Sequence, residues 1–149
     1  MIRFLAALAV MVAAVSFVAC GGDDGMSKDD YKKEAQKISD KVDADFQAAL
    51  PDATSSDPAK SLGGVNKIKV AAQDAADKLE DLDPPSDYKD VQTKLVDALR
   101  TLQKHGEEVD SAVQAKDQQK ASAAVEALQQ SIKDLDGIGN EFDQKVGTT

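Results

Sequence analysis

Tryptophan is absent from this 149-residue chain, cysteine and histidine occur once each, and only six residues are aromatic. Each scarcity removes a class of chemistry. A lone cysteine, Cys20, cannot close an internal disulfide, and a free thiol is unusual in an oxidising compartment, so Cys20 asks for another explanation. A lone histidine, His105, is too few for a di-metal bundle, which takes Glu-x-x-His from two helices; the order here, His105-x-x-Glu108, is also reversed. Haem or copper would want more His, Met or Cys than Met26 and His105 supply. Asp23-Asp24 and Asp81-x-Asp83 lack the loop pattern that ends in a bidentate glutamate, so they read as tether and helix end rather than as calcium sites. Clusters of Lys and Arg are missing too, because the lysines are interleaved with Asp and Glu, and this excludes nucleic acid as a partner. Aromatic platforms for a sugar ring are lacking, and strand formers are too scattered to build a sheet. No metal and no resident cofactor is expected.

What is present begins with a segment of distinct composition. Met1-Ile2-Arg3 is a short positive start, and Phe4 to Val18 is an apolar run interrupted only by Ser16. At about 15 residues it has the length of a signal-peptide core and falls short of the roughly 20 that span a bilayer. It ends in Phe17-Val18-Ala19-Cys20-Gly21-Gly22. This stretch resembles the lipobox of bacterial lipoproteins, an apolar pair, a small residue and an obligatory cysteine, with Phe17 where that family usually has Leu. The resemblance implies a diacylglycerol on the Cys20 sulfur, cleavage between Ala19 and Cys20, and a mature chain anchored to the cell membrane on its extracytoplasmic side. Two other readings of the same residues stay open: an ordinary cleaved signal, with Val18 and Cys20 at the small-residue positions, and an uncleaved N-terminal anchor.

Arg3 is the only charge ahead of Cys20, which leaves 17 basic and 27 acidic residues and a net charge of −10 on the remainder. An anionic lipid surface repels such a domain, so attachment has to come from an anchor. Two or more acyl chains suffice, at about 0.8 kcal/mol per buried CH₂. Residues 21–25, Gly-Gly-Asp-Asp-Gly, offer nothing apolar to bury and read as a short solvated tether.

The remaining residues show helical periodicity throughout. Ser27 and Asp30 form a capping-box-like pair that starts a helix near Lys28, and Tyr31, Ala35, Ile38, Val42, Phe46 and Ala49 make its apolar stripe until Pro51 ends it. Asp57-Pro58 caps a second helix, whose Gly63-Gly64 pair delays its regular part to about Val65; its stripe of Val65, Ile68, Ala72, Ala75, Leu79 and Leu82 is rich in small residues. Asp83-Pro84-Pro85 stops that helix, and Ser86 or Asp87 caps a third with the stripe Tyr88, Val91, Leu95, Ala98, Leu102, His105, Val109 and Ala112. Lys116-Asp117 turns the chain into a fourth, striped by Ala121, Val125, Leu128, Ile132, Leu135, Ile138, Phe142 and Val146, with Gly137 and Gly139 bending or fraying its end. Acid-before-lysine pairs four apart, at Asp29/Lys33, Asp74/Lys78, Asp90/Lys94 and Glu141/Lys145, mark solvated faces. Short connections between four amphipathic helices predict an all-α, antiparallel up-down-up-down four-helix bundle following a cleaved signal peptide. The organisation is then a signal peptide over residues 1–19, lipidated Cys20 and tether over 20–27, the bundle over 28–146, and a tail over 147–149.

The Leu82-Asp83-Pro84-Pro85 step, with Tyr31 opening the first helix, is similar to small uncharacterised lipoproteins of actinobacteria, a group that implies location and fold but no activity. Nucleophilic catalysis needs a base beside the nucleophile, and no elbow motif or Gly-rich loop places a serine near His105. On its stripe His105 reads first as a core or boundary residue with a satisfied hydrogen bond, and second as a ligand contact or proton switch near Glu107, Glu108 and Asp110. The expected function is a non-enzymatic envelope module that contacts another protein or a wall polymer; the alternative is a carrier or sensor that encloses a small apolar ligand beneath the Ala-rich second helix.

Overall fold

Capping residues and breakers divide the chain into four helices in the computed structural model, which describes residues 25–147. Ala19, Cys20 and the rest of the signal segment lie outside the described residues, as do most of the tether and the last two residues. The helices are α1 (Lys28–Ala53), α2 (Pro58–Glu80), α3 (Lys89–Gln114) and α4 (Gln118–Val146), with a 3₁₀ turn at Ser86–Tyr88 and no strand among the described residues. Each start has a local cause. Ser27 accepts from the Asp30 N–H, Asp57 from those of Ala59 and Lys60, and Asp117 from that of Lys120. The α3–α4 turn closes through Asp117 N–H to the Ala112 carbonyl and Lys116 N–H to that of Val113, with Lys116 in the left-handed region (φ 54°) where glycine is the usual choice.

The all-α up-down-up-down bundle is the observed fold. Several boundaries differ from the sequence expectation. Pro51 does not end α1, which runs on to Ala53: only one helical hydrogen bond is lost, the proline is exposed, and Thr54 restores two bonds to the Leu50 carbonyl, from its N–H at 3.0 Å and its hydroxyl at 2.8 Å. The Gly63-Gly64 pair does not delay α2, which is regular from Pro58. Gly64 lies where α2 meets the end of α1, so close that a Cβ there would come within 2.1 Å of the Ala53 nitrogen. The last turn of α1 is held in that contact by Ser61, which donates to the Ala53 carbonyl, and by a Lys67–Asp52 ion pair. Neither Ser86 nor Asp87 caps α3, because both belong to the 3₁₀ turn that precedes it. Gly137 and Gly139 leave α4 unbroken to Val146, where Gly147 (φ 74°) terminates it. The four acid–lysine pairs expected within helices do not form; Lys94 instead crosses from α3 to Glu141 of α4.

Two clusters make the core. The larger contains Ile68, Leu79, Leu99, Leu102, Val109 and Leu128, with the buried alanines of α2 at its centre. Ala72, Ala75 and Ala76 let α1 and α3 approach α2 from either side. The smaller cluster, of Tyr31, Ala35, Tyr88, Val91, Phe142 and Val146, closes the end of the bundle from which the tether leaves. Both clusters are made of residues within the described range, so this unit carries its own core. Val125 is exposed and Ala124 buried in its stead, so the start of α4 is rotated relative to its sequence stripe.

Candidate functional site, an open groove between the first and last helices

Helix α1 packs on α2, α2 on α3 and α3 on α4, but the seam that would close the ring, between α4 and α1, is only weakly packed. The sequence stripe explains where the opening falls. Tyr31 and Ala35 are buried at one end of α1 and Ala49 at the other, while Ile38, Val42 and Phe46 between them are half-buried. Opposite them, Ile132 and Leu135 of α4 are half-buried too. These side chains line a groove of about 280 Å³ whose floor is supplied by Ile68, Ala75, Leu79 and Leu99.

The polar residues of the groove are few: Ser39, Asp43 and Gln47 from α1, and Lys133, Asp136 and Asp143 from α4. Burial pushes the Asp43 carboxyl above the usual carboxylate range, and the neighbouring Asp143, Asp40 and Asp136 push it the same way. Among the described residues Asp43 has no ion-pair partner.

One end of the groove is stoppered. The Tyr31 ring lies 5.5 Å from that of Tyr88 and 6.3 Å from that of Phe142. Its hydroxyl donates to Gln92 Oε1 at 2.7 Å, and Gln92 Nε2 donates to the Leu79 carbonyl at 2.7 Å and to that of Leu82 at 3.4 Å. At the end of α2, where Pro84-Pro85 prevents continuation, a side chain of α3 thus adds a donor to the Leu79 carbonyl, which also accepts from the Leu82 N–H at 3.2 Å, and to that of Leu82. Burial, and secondarily Tyr88, raises the Tyr31 phenol well above its ordinary range, so it acts as a neutral donor. The Leu82-Asp83-Pro84-Pro85 step and Tyr31, distant in sequence, meet here, and the Met26 N–H donates to the Asp83 carbonyl at 2.8 Å.

His105 does not line the groove. Its Nδ1 is 2.7 Å from the Ser131 hydroxyl of α4. Sequence motifs placed no serine near this histidine; the antiparallel packing of α3 and α4 supplies one, 26 residues along the chain. Ser131 is buried within α4, and both residues sit in mid-helix, where backbone N–H groups are already bonded within the helix and cannot form an oxyanion hole. Of the acids expected around it, Asp110 is paired with Lys69 of α2, and Glu107 and Glu108 are exposed. Gly106 makes room for the Lys69 stem, which a Cβ would meet at 3.0 Å. Gln92, Ser131 and the polar groove residues carried no sequence signal beyond their positions on or beside apolar stripes.

No helix among the described residues is long and apolar enough to cross a membrane. Neither a curated protein nor a solved structure matches the chain. The DUF7018 family, a domain of unknown function, matches residues 25–137, from the end of the tether into α4, and the chain belongs to that family.

Proposed function

We propose that this protein is a lipid-anchored, extracytoplasmic binding protein that acts without catalysis and holds a small apolar ligand in the α1/α4 groove. The observation that carries the reading is the open seam. An apolar stripe continues along α1 through Ile38, Val42 and Phe46, yet the fold leaves its middle half-covered. Isolated exposed apolar residues are ordinary on a protein surface, but a contiguous concave apolar lining with a few polar groups at its edge is the usual form of a small-molecule site. The alternative in which outer faces contact an envelope protein or wall polymer draws less support, since among the described residues no comparable apolar concavity marks those faces and Arg100 there is engaged by Asp77 and Glu80 of α2. The groove opens between α1 and α4 and has Ile68, Ala75 and Leu79 of the Ala-rich α2 in its floor, so a ligand there would rest against that helix.

Anchoring rests on the lipobox-like residues around Cys20, and the non-catalytic reading on the mid-helix setting of the partly buried His105–Ser131 pair, where no free backbone donor faces it. The binding reading is tested with residues 21–149, which include both core clusters, titrated with decanol as a neutral ten-carbon probe and followed by methyl NMR. Saturable shifts confined to methyls of the groove lining, such as Val42, Leu99, Ile132 and Leu135, are expected, and Ile132→Trp, which fills the groove, should abolish them while the bundle stays helical. Absence of saturable shifts in the unmodified protein would overturn the reading.

A further inference from the structure

Resting on the reading that the groove holds a small ligand, we propose that it selects one with a cationic head on an apolar body, an amphiphilic amine or ammonium whose charge sits between Asp43 of α1 and Asp136 of α4. The argument starts from how this chain treats its acids. Where a carboxylate approaches a neighbouring helix, the fold generally supplies a cation: Asp52 has Lys67, Asp87 has Lys28, Asp110 has Lys69 and Glu141 has Lys94. Asp43 is the departure. It is half-buried at the groove edge, has no ion-pair partner among the described residues, and is surrounded by Asp40, Asp136 and Asp143, which all disfavour its charge. Three carboxylates line the groove against one ammonium, that of Lys133. A half-desolvated carboxylate among like charges is costly in the empty groove and favourable once a cation joins it.

Size and charge together favour a small occupant: at about 280 Å³ the space is at the lower edge of small-molecule pockets, and its edge is acidic. An aliphatic chain fits between Val42, Phe46 and Ile132, with its head at the acidic edge. A bound cation also removes repulsion between α1 and α4, the one adjacent helix pair that the fold leaves weakly packed.

The test compares decylammonium, decanol and decanoate on residues 21–149 by the same NMR titration, with Asp43→Asn and the double variant Asp43→Asn/Asp136→Asn. Decylammonium is expected to bind about tenfold or more tightly than decanol, and decanoate more weakly than either. The double variant should bring decylammonium and decanol to within roughly twofold of each other. Equal affinity for decanol and decylammonium in the unmodified protein would overturn the proposal and leave the binding reading standing. An ammonium preference that survives both substitutions would assign it to the overall acidity of the domain and also overturn it. Failure of all three probes to saturate would remove both readings. Sedimentation showing a dimer whose dilution perturbs the groove methyls would assign the groove to a second copy of the chain and overturn the selectivity proposed here.

Discussion

Gln92 and Ser131 are the buried polar side chains among the described residues, and each answers a polar group on another element. Gln92 has the larger task, because its amide serves the Tyr31 hydroxyl and the end of α2 at once. Gln92→Leu preserves bulk but strands the buried Tyr31 phenol and takes one of two donors from the Leu79 carbonyl, and is expected to cost about 1–3 kcal/mol in urea unfolding. Combined with Tyr31→Phe it should cost less than the two single changes added together, since the phenol it strands is then gone. Asp43 shows the opposite balance. A carboxyl whose pKa is raised in the folded state favours folding when protonated; that stability is fully present below the unfolded value, roughly pH 4, and is lost as pH rises through the folded value. Asp43→Asn is therefore expected to be more stable than the unmodified protein at pH 7, with the difference vanishing below about pH 4. Urea midpoints at the two pH values check the sign. A groove residue whose removal stabilises the fold is what a binding role predicts, since sites keep groups that the fold alone would discard.

The two adjacent glycines of α2 separate helix propensity from packing. Both weaken a helix relative to alanine by about 1 kcal/mol. A Cβ on Gly63 would meet nothing within 4 Å, whereas one on Gly64 would run into the Ala53 backbone. Gly63→Ala is accordingly expected to raise stability by up to about 1 kcal/mol, and Gly64→Ala to lower it by about 1–3 kcal/mol while loosening the last turn of α1. Thermal unfolding of the pair reads the contrast directly, and equal effects would show that the α1–α2 approach is not steric. The same crossing explains why Pro51 is tolerated: a turn that has lost a hydrogen bond is held from outside by Ser61 and Lys67. Caps at Ser27 and Asp57 were legible because an N-cap is a local interaction between a side chain and the next turn, whereas Asp117, read only as part of a turn, proves to be a cap as well. The 3₁₀ turn ahead of α3 was not, since Tyr88 is drawn into the aromatic cluster by partners on α1 and α4.

For the molecule as a whole, charge and anchor belong together. Residues 20–149, with a net charge of −10, gain nothing from an anionic membrane surface, which is why the anchor proposed at Cys20 is put to a direct test. Protein extracted from membranes is expected to have an intact mass of residues 20–149 plus acyl groups; a mass fitting those residues without added acyl groups would exclude the lipobox reading. Residues 25–27 enter the bundle at the stoppered end, where the Met26 N–H donates to the Asp83 carbonyl beside the aromatic cluster.

Periodicity, breakers and caps by themselves determined that the described residues are all-α, that they form four α-helices and that neighbours run antiparallel, because those properties depend on residues three or four apart and on loops too short to do anything else. The lipobox-like segment is likewise a purely sequential signal. Only the tertiary structure decided that the ring of helices stays open between α1 and α4, that Gln92 completes the end of α2, that Ser131 meets His105, and that Asp43 is left among acids with no cation beside it. A stripe of apolar residues states that a face avoids water; how fully it is covered depends on the distance at which a partner helix is held, and that is fixed by side chains far away in the sequence.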